Sequence, residues 1–191
     1  TVLGAVAVVS SHTGLKLTPA LLSEIYLGKI KNWTDPKLVA LNPALAKATP
    51  PAILVVHRSD GSGTSAVFSD YLSKVSPEWK STVGTGTALK WPTGLGGKGN
   101  EGVTALVKQT PGSIGYIELA YAEKNGLQTA SLKNKSGQFI APTTQSITEA
   151  GAAMVGNTPA DFRVSITDAE GAKSYPIASY TYLLVYKNKS E

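Results

Sequence analysis

Between Ile53 and Val75 the hydrophobic period of the chain switches once, and that switch limits the folds open to it. Ile53 to His57 is a short apolar run and Gly61, Ser62 and Gly63 form a turn. Val67, Phe68, Tyr71, Leu72 and Val75 then recur at spacings of three and four. A strand therefore passes through a glycine turn into an amphipathic helix that begins near Thr64. Val6 to Val9, Ser113 to Ile117 and Tyr180 to Tyr186 are further strand-like runs, and helices are expected to start near Asn100 and Thr144. Another is expected at Thr18, which caps ahead of Pro19, with Leu21, Leu22, Ile25 and Tyr26 on one face and Gly28 as the stop. Asn134 to Gly137 has the composition of a hairpin turn. Strands alternating with helices predict an α/β fold: one lobe, with a mainly parallel sheet flanked by helices.

Composition excludes several functions. The 191 residues are 42% hydrophobic, enough for a sizeable core. Lys and Arg number 18 against 13 Asp and Glu, a net charge of +5, but the basic residues are scattered singly. That pattern exerts a mild pull on anions and predicts no nucleic-acid partner. No run of eighteen apolar residues occurs, which excludes a membrane-spanning helix. Cysteine is absent and His12 and His57 stand apart, so no thiol nucleophile, metal site or cofactor is expected. Thr1 opens the chain with no charged leader before it, as in a processed chain or a cut piece of one.

The turn after Ile53 to His57 has the makings of an anion cradle. The first turn of the following helix falls near Gly63 to Ser65, where backbone N–H groups have no partner within the helix. Those donors and the helix dipole favour a negative ligand by roughly 0.3–2 kcal/mol. The hydroxyls of Ser62 and Thr64 add donors, and Gly61 and Gly63 let an anion approach the backbone closely. Arg58 and Asp60 are two residues apart, so their side chains leave an extended chain on one face and should pair. Asp60 holding one edge of the guanidinium would leave the other free for a bidentate oxyanion contact. The bland alternative is that Asp60 and Ser62 only cap a helix while Arg58 forms a surface ion pair, worth about 0–1 kcal/mol.

Several further stretches belong with this loop: Ile25 to Trp33, Glu78 to Lys80, Val83 to Gly86, Lys90 to Pro92, Gly94 to Gly102 and Pro111 to Tyr116. In this order, together with Arg58 to Ser65, they resemble the bacterial periplasmic phosphate-binding proteins, the solute-capturing components of phosphate ABC transporters. The resemblance extends over nearly the whole chain. It implies a periplasmic-binding-protein-like (type 2) fold and inorganic phosphate as ligand, with Arg58, Ser62, Gly63 and Thr64 as contacts and Asp60 and Gly61 in support. It also implies a membrane permease as partner, a periplasmic or otherwise extracytoplasmic location, and no catalysed reaction. Family members have two lobes around a cleft. Residues 1–191 correspond to the second lobe, bounded by two hinge-crossing strands at Thr1 to Val8 and Ser174 to Val185. Nothing corresponds to the first lobe, which supplies the remaining phosphate donors and the carboxylate that takes the proton of hydrogen phosphate.

Other motifs fare worse. Gly94 to Gly99 satisfies the dinucleotide fingerprint and Glu118 lies about twenty residues on, but Pro92 interrupts the approach, so no clean strand is expected there. Gly99 after Lys98 breaks a Walker loop. Ser62 lacks the spacing of a hydrolase elbow, and His57 would leave the strand opposite Arg58, which disfavours a phosphate-ester hydrolase. Trp33, Trp79 and Trp91 are expected to pack rather than stack on bases, and Lys133, Lys135, Lys187 and Lys189 to be solvated. A helix over Thr143 to Met154 should cover the sheet with Ile147, Ala150 and Met154. The alternative to a ligand-binding lobe is a folding or self-association module whose two end strands pair with another copy.

Overall fold

The structure is a computed structural model and describes residues 2–157, 159–160 and 163–182. The chain opens with β1 (Val2–Ser10), which is buried from Ala5 onward, followed by β2 (Lys16–Leu17). Thr18 accepts the N–H of Leu21 and Pro19 takes the first helical position, so α1 (Pro19–Tyr26) starts where its cap dictates. After α2 (Pro36–Leu41) come β3 (Leu54–Arg58), α3 (Gly63–Val75), α4 (Pro77–Thr82) and β4 (Leu95–Gly97). Next are α5 (Gly99–Gln109), β5 (Ser113–Glu118), α6 (Leu119–Lys124), β6 (Gln128–Thr129), β7 (Ser131–Lys133) and β8 (Phe139–Ile140). A capping box between Thr143 and Ser146 starts α7 (Thr144–Ala152), and β9 (Ala178–Thr181) is the last strand among the described residues.

The main sheet runs β4-β3-β5-β1-β6, with β9 also on β1, and β2, β7 and β8 form a smaller one. The fold is α/β with helices flanking the sheet, but the expectation of mainly parallel pairing needs correction. Parallel pairs join β3 to β4 and to β5, whereas β1 is antiparallel to β5, β6 and β9. Direction is fixed by connections: β3, β4 and β5 are linked by covering helices, which return the chain to run parallel. The long excursion from β1 through α1 and α2 carries no such constraint, and a continuous buried run such as Ala5 to Ser10 of β1 reads alike in either direction.

The Asn134 to Gly137 turn joins β7 to β8, closed by the Gly137 N–H donating to Asn134 O at 2.9 Å. Of the Tyr180 to Tyr186 run, residues 183–186 lie outside the described residues, as do Lys187 and Lys189. The core is rich in aromatic rings, and several have their polar ends satisfied, though the buried Tyr26 hydroxyl has no partner among the described residues. Trp33 and Trp79 are fully buried and donate from Nε1 to Gly112 O and Gly84 O, each at 2.9 Å, while the Tyr175 hydroxyl donates to Val6 O at 3.0 Å. Phe68 and Leu72 on α3 are equally buried, each stabilising the fold by roughly 1.5–3 kcal/mol.

Candidate functional site

The three parallel strands β4, β3 and β5 end along one edge of the sheet, and each leads into a helix. Crevices at the carboxyl ends of such strands are where α/β folds hold ligands. Gly97 leads through Lys98 to α5, Arg58 leads through the turn to α3, and Glu118 leads directly into α6. At two of these strand ends one backbone N–H is engaged by a side chain. The Gly99 N–H donates to Asp60 Oδ1 at 3.0 Å, and the Glu118 N–H donates to Asn100 Oδ1 at 3.3 Å.

The third helix start is that of α3. Ser62 caps it, its Oγ accepting the Ser65 N–H at 3.1 Å, while its own N–H donates to Thr87 O at 2.9 Å. The Gly63 and Thr64 N–H groups make no hydrogen bond among the described residues. They front a groove of about 320 Å³ between α3 and the strands β1 and β9, with Glu118 on its wall. Gly61 and Gly63 have no positive φ, and a Cβ at either would meet nothing within 4 Å. Folding does not demand glycine at these two positions. Their effect is to leave the backbone bare.

Arg58 and Asp60 form the expected pair, with Nε and Nη2 donating to Oδ1 and Oδ2 at 2.8 and 2.7 Å. The Arg58 side chain is only 10% exposed, so this is no loose surface contact. Arg58 and the Gly99 N–H together hold the Asp60 carboxyl far below the usual carboxylate range, and Asp60 in turn raises the Arg58 guanidinium above its own. The Nη1 edge of Arg58 makes no hydrogen bond among the described residues. Ser62 is the least accessible of the predicted contacts at 4% exposure, and only its hydroxyl proton is left to offer.

His57 lies apart from this chemistry: its ring stacks on Trp91 with centroids 4.9 Å apart, and Nδ1 sits 3.0 Å from Arg58 O. Burial lowers its pKa, and no nucleophile–base pair with Ser62 forms. Gly94 to Gly99 also resolves structurally. Leu95 to Gly97 is itself strand β4, and a Cβ at Gly94 or Gly97 would stand 2.4 Å from Val55 O or 2.6 Å from Val103 N. The glycines admit neighbouring backbone, not a pyrophosphate.

Four residues at the site were given no binding or supporting role from sequence: Ser65, Gly99, Asn100 and Tyr116. The Tyr116 hydroxyl accepts the Arg58 N–H at 3.1 Å and is hydrogen-bonded to Ser65 Oγ at 2.6 Å. Burial pushes that phenol up to about 12. A tyrosine on a buried strand signals that its hydroxyl needs a partner, but not which one.

Residues 2–191 match the PBP superfamily domain, and the chain belongs to that superfamily. Within it, the chain is 49% identical over 174 residues to the phosphate-binding protein PstS of Pasteurella multocida, covering 91% of this chain and 50% of that one. It is 50% identical over 173 residues to PstS of Haemophilus influenzae, covering 91% and 52%, and 43% identical over 189 residues to PstS of Methanocaldococcus jannaschii, covering 92% and 48%. The chain thus spans about half the length of the curated relatives it matches. Among solved structures, a high-affinity periplasmic phosphate-binding protein, PfluDING, superposes with a TM-score of 0.66 at 20% identity over 93% of this chain and 54% of that one. The phosphate-binding protein from Stenotrophomonas maltophilia does so with a TM-score of 0.58 at 20% identity over 94% and 52%. Those two likenesses establish the fold.

Proposed function

We propose that residues 1–191 are the second lobe of a two-lobe solute-binding protein and that this lobe carries about half of an inorganic phosphate site. The observation that carries the proposal is that one loop holds both a guanidinium fixed by Asp60 and, five residues further on, two backbone N–H groups, Gly63 and Thr64, that make no hydrogen bond among the described residues. Arg58 supplies charge and a forked donor edge, the α3 start supplies backbone donors, and the hydroxyls of Ser62 and Thr64 complete the set, with Gly61 leaving the approach bare. The names of the PstS relatives support phosphate as the anion.

In this proposal the protein binds and releases phosphate without transforming it, outside the cytoplasm, for delivery to the permease of an ABC importer. An enclosed two-lobe cleft with micromolar affinity binds at about −8 kcal/mol. Half the donors and no enclosure leave about −4 kcal/mol, or millimolar affinity. Titrating inorganic phosphate into the chain while following the Gly63 and Thr64 amide resonances tests this. Saturable millimolar shifts at those amides support it, and shifts absent there, or equal across the surface, overturn it.

A second role, self-association through the end strands, is favoured by one observation. β9 pairs with β1 alone among the described residues, and Val2, beside it, is 59% exposed. Small-angle scattering over a concentration series tests it: a mass that grows with concentration supports pairing, and a constant monomer mass rejects it.

A further inference from the structure

We infer that Tyr116 is a positioning residue for the anion loop, setting the spacing between the guanidinium anchor and the open amides of α3. The inference rests on the phosphate proposal. Residues 59–64 leave β3 at Arg58 and enter α3 before Ser65, so the relative placement of the two donor groups depends on how those ends are held. A single phenol oxygen holds both: it accepts the Arg58 backbone N–H at 3.1 Å and lies 2.6 Å from Ser65 Oγ. Ser65 is in turn fastened to the cap, its N–H donating to Ser62 Oγ. The chain of contacts thus runs from Arg58 through Tyr116 and Ser65 to Ser62, linking the two ends of the loop.

The oxygen cannot wander. The Tyr116 ring is fully buried, stacked on Phe68 of α3 with centroids 4.3 Å apart and planes 6° from parallel, and on Trp91 at 5.5 Å. Its backbone is fixed in the sheet opposite Val8 of β1. A hydroxyl on a rigid ring is a better spacer than a flexible side chain, because little of its position is left to rotamer choice. Tyr116 itself touches no ligand in this arrangement; it acts through Arg58 and Ser65.

Tyr116→Phe keeps the ring and removes the bridge. Phosphate affinity is read by amide titration at constant ionic strength, below the melting temperature of every variant, so that lost stability cannot pass for lost affinity. Expected is a loss of about 5- to 20-fold for Tyr116→Phe, a similar loss for Ser65→Ala, and a double variant no weaker than about twice either single one, since both cut one bridge. Affinity within twofold of wild type for Tyr116→Phe, or losses that multiply in the double variant, would overturn the positioning role. Arg58→Ala separates this from the underlying proposal. If Arg58→Ala abolishes binding while Tyr116→Phe does not weaken it, the positioning role alone falls. If wild type shows no phosphate binding, or Arg58→Ala binds as wild type does, both fall.

Discussion

Asp60 Oδ1 accepts both the Nε–H of Arg58 and the backbone N–H of Gly99, so one carboxylate joins the anion loop to the first turn of α5. The Gly99 amide of α5 is therefore occupied, whereas the Gly63 and Thr64 amides of α3 make no hydrogen bond among the described residues. Asp60 is also held ionised, first by Arg58 and then by Gly99, with its pKa depressed below the ordinary value. A depressed carboxylate contributes stability that is present above the unfolded-state pKa and lost as pH falls through the folded one. The urea-unfolding difference between wild type and Asp60→Asn should accordingly stay flat from pH 7 down to about 4, the ordinary range for Asp, and shrink only below it. A difference that already collapses between pH 6 and 5 would mean that the pair is not held as the structure has it.

Arg58→Ala is expected to abolish measurable phosphate binding and leave the fold intact, since the strand hydrogen bonds of β3 are backbone ones. Arg58→Lys keeps the charge but not the fork that meets both oxygens of Asp60. It should bind phosphate at least about 10-fold more weakly than wild type, because charge-assisted hydrogen bonds contribute roughly 1.5–3 kcal/mol each. Amide titration measures affinity and circular dichroism confirms folding. A lysine variant that binds as wild type does would show that geometry at Arg58 is irrelevant.

Much of this arrangement was legible in the sequence because it is local. Thr18 with Pro19, the Ile53 to Val75 switch and the Arg58–Asp60 pair each depend on residues a few positions apart, and each stands where its spacing placed it. The missed contacts bring together distant positions: Tyr116 lies 58 residues from Arg58, and Gly99 lies 39 from Asp60. No local period encodes which strand end faces which loop. The antiparallel setting of β1 escaped for the same reason, since direction is a property of connections rather than of a strand's own residues.

Two glycines separate the needs of folding from those of binding. At Gly97 a Cβ would meet Val103 N at 2.6 Å and Gly102 C at 2.7 Å, both backbone, so β4 and α5 would have to part. Gly97→Ala should lower unfolding free energy by about 1–3 kcal/mol, as overpacking generally does. At Gly63 nothing lies within 4 Å, and α3 gains a better helix former, so Gly63→Ala should leave stability unchanged or slightly raised. Its methyl group stands beside the open amides, and phosphate affinity should fall by at least about 3-fold through crowding, roughly 0.7 kcal/mol. Denaturant melts and amide titrations on the two variants test the contrast. Equal stability losses would refute it, as would unchanged binding in Gly63→Ala.

Glu118 makes the opposite kind of contribution. Its side chain is exposed at the end of β5 and lines the same groove as Gly63 and Thr64, so an anion entering there meets a carboxylate as well as amide donors. Across a solvated groove the repulsion is modest, on the order of 0.5–1 kcal/mol, and it is screened by salt. Glu118→Gln keeps the shape and removes the charge. Phosphate affinity should rise by about 2- to 5-fold at low ionic strength, and the gain should fade toward 1 M salt, where the Debye length is about 3 Å. Titrations at two salt concentrations decide between this and a carboxylate that assists binding. Weaker phosphate binding in Glu118→Gln would mean that Glu118 accepts a hydrogen bond from the ligand rather than repelling it.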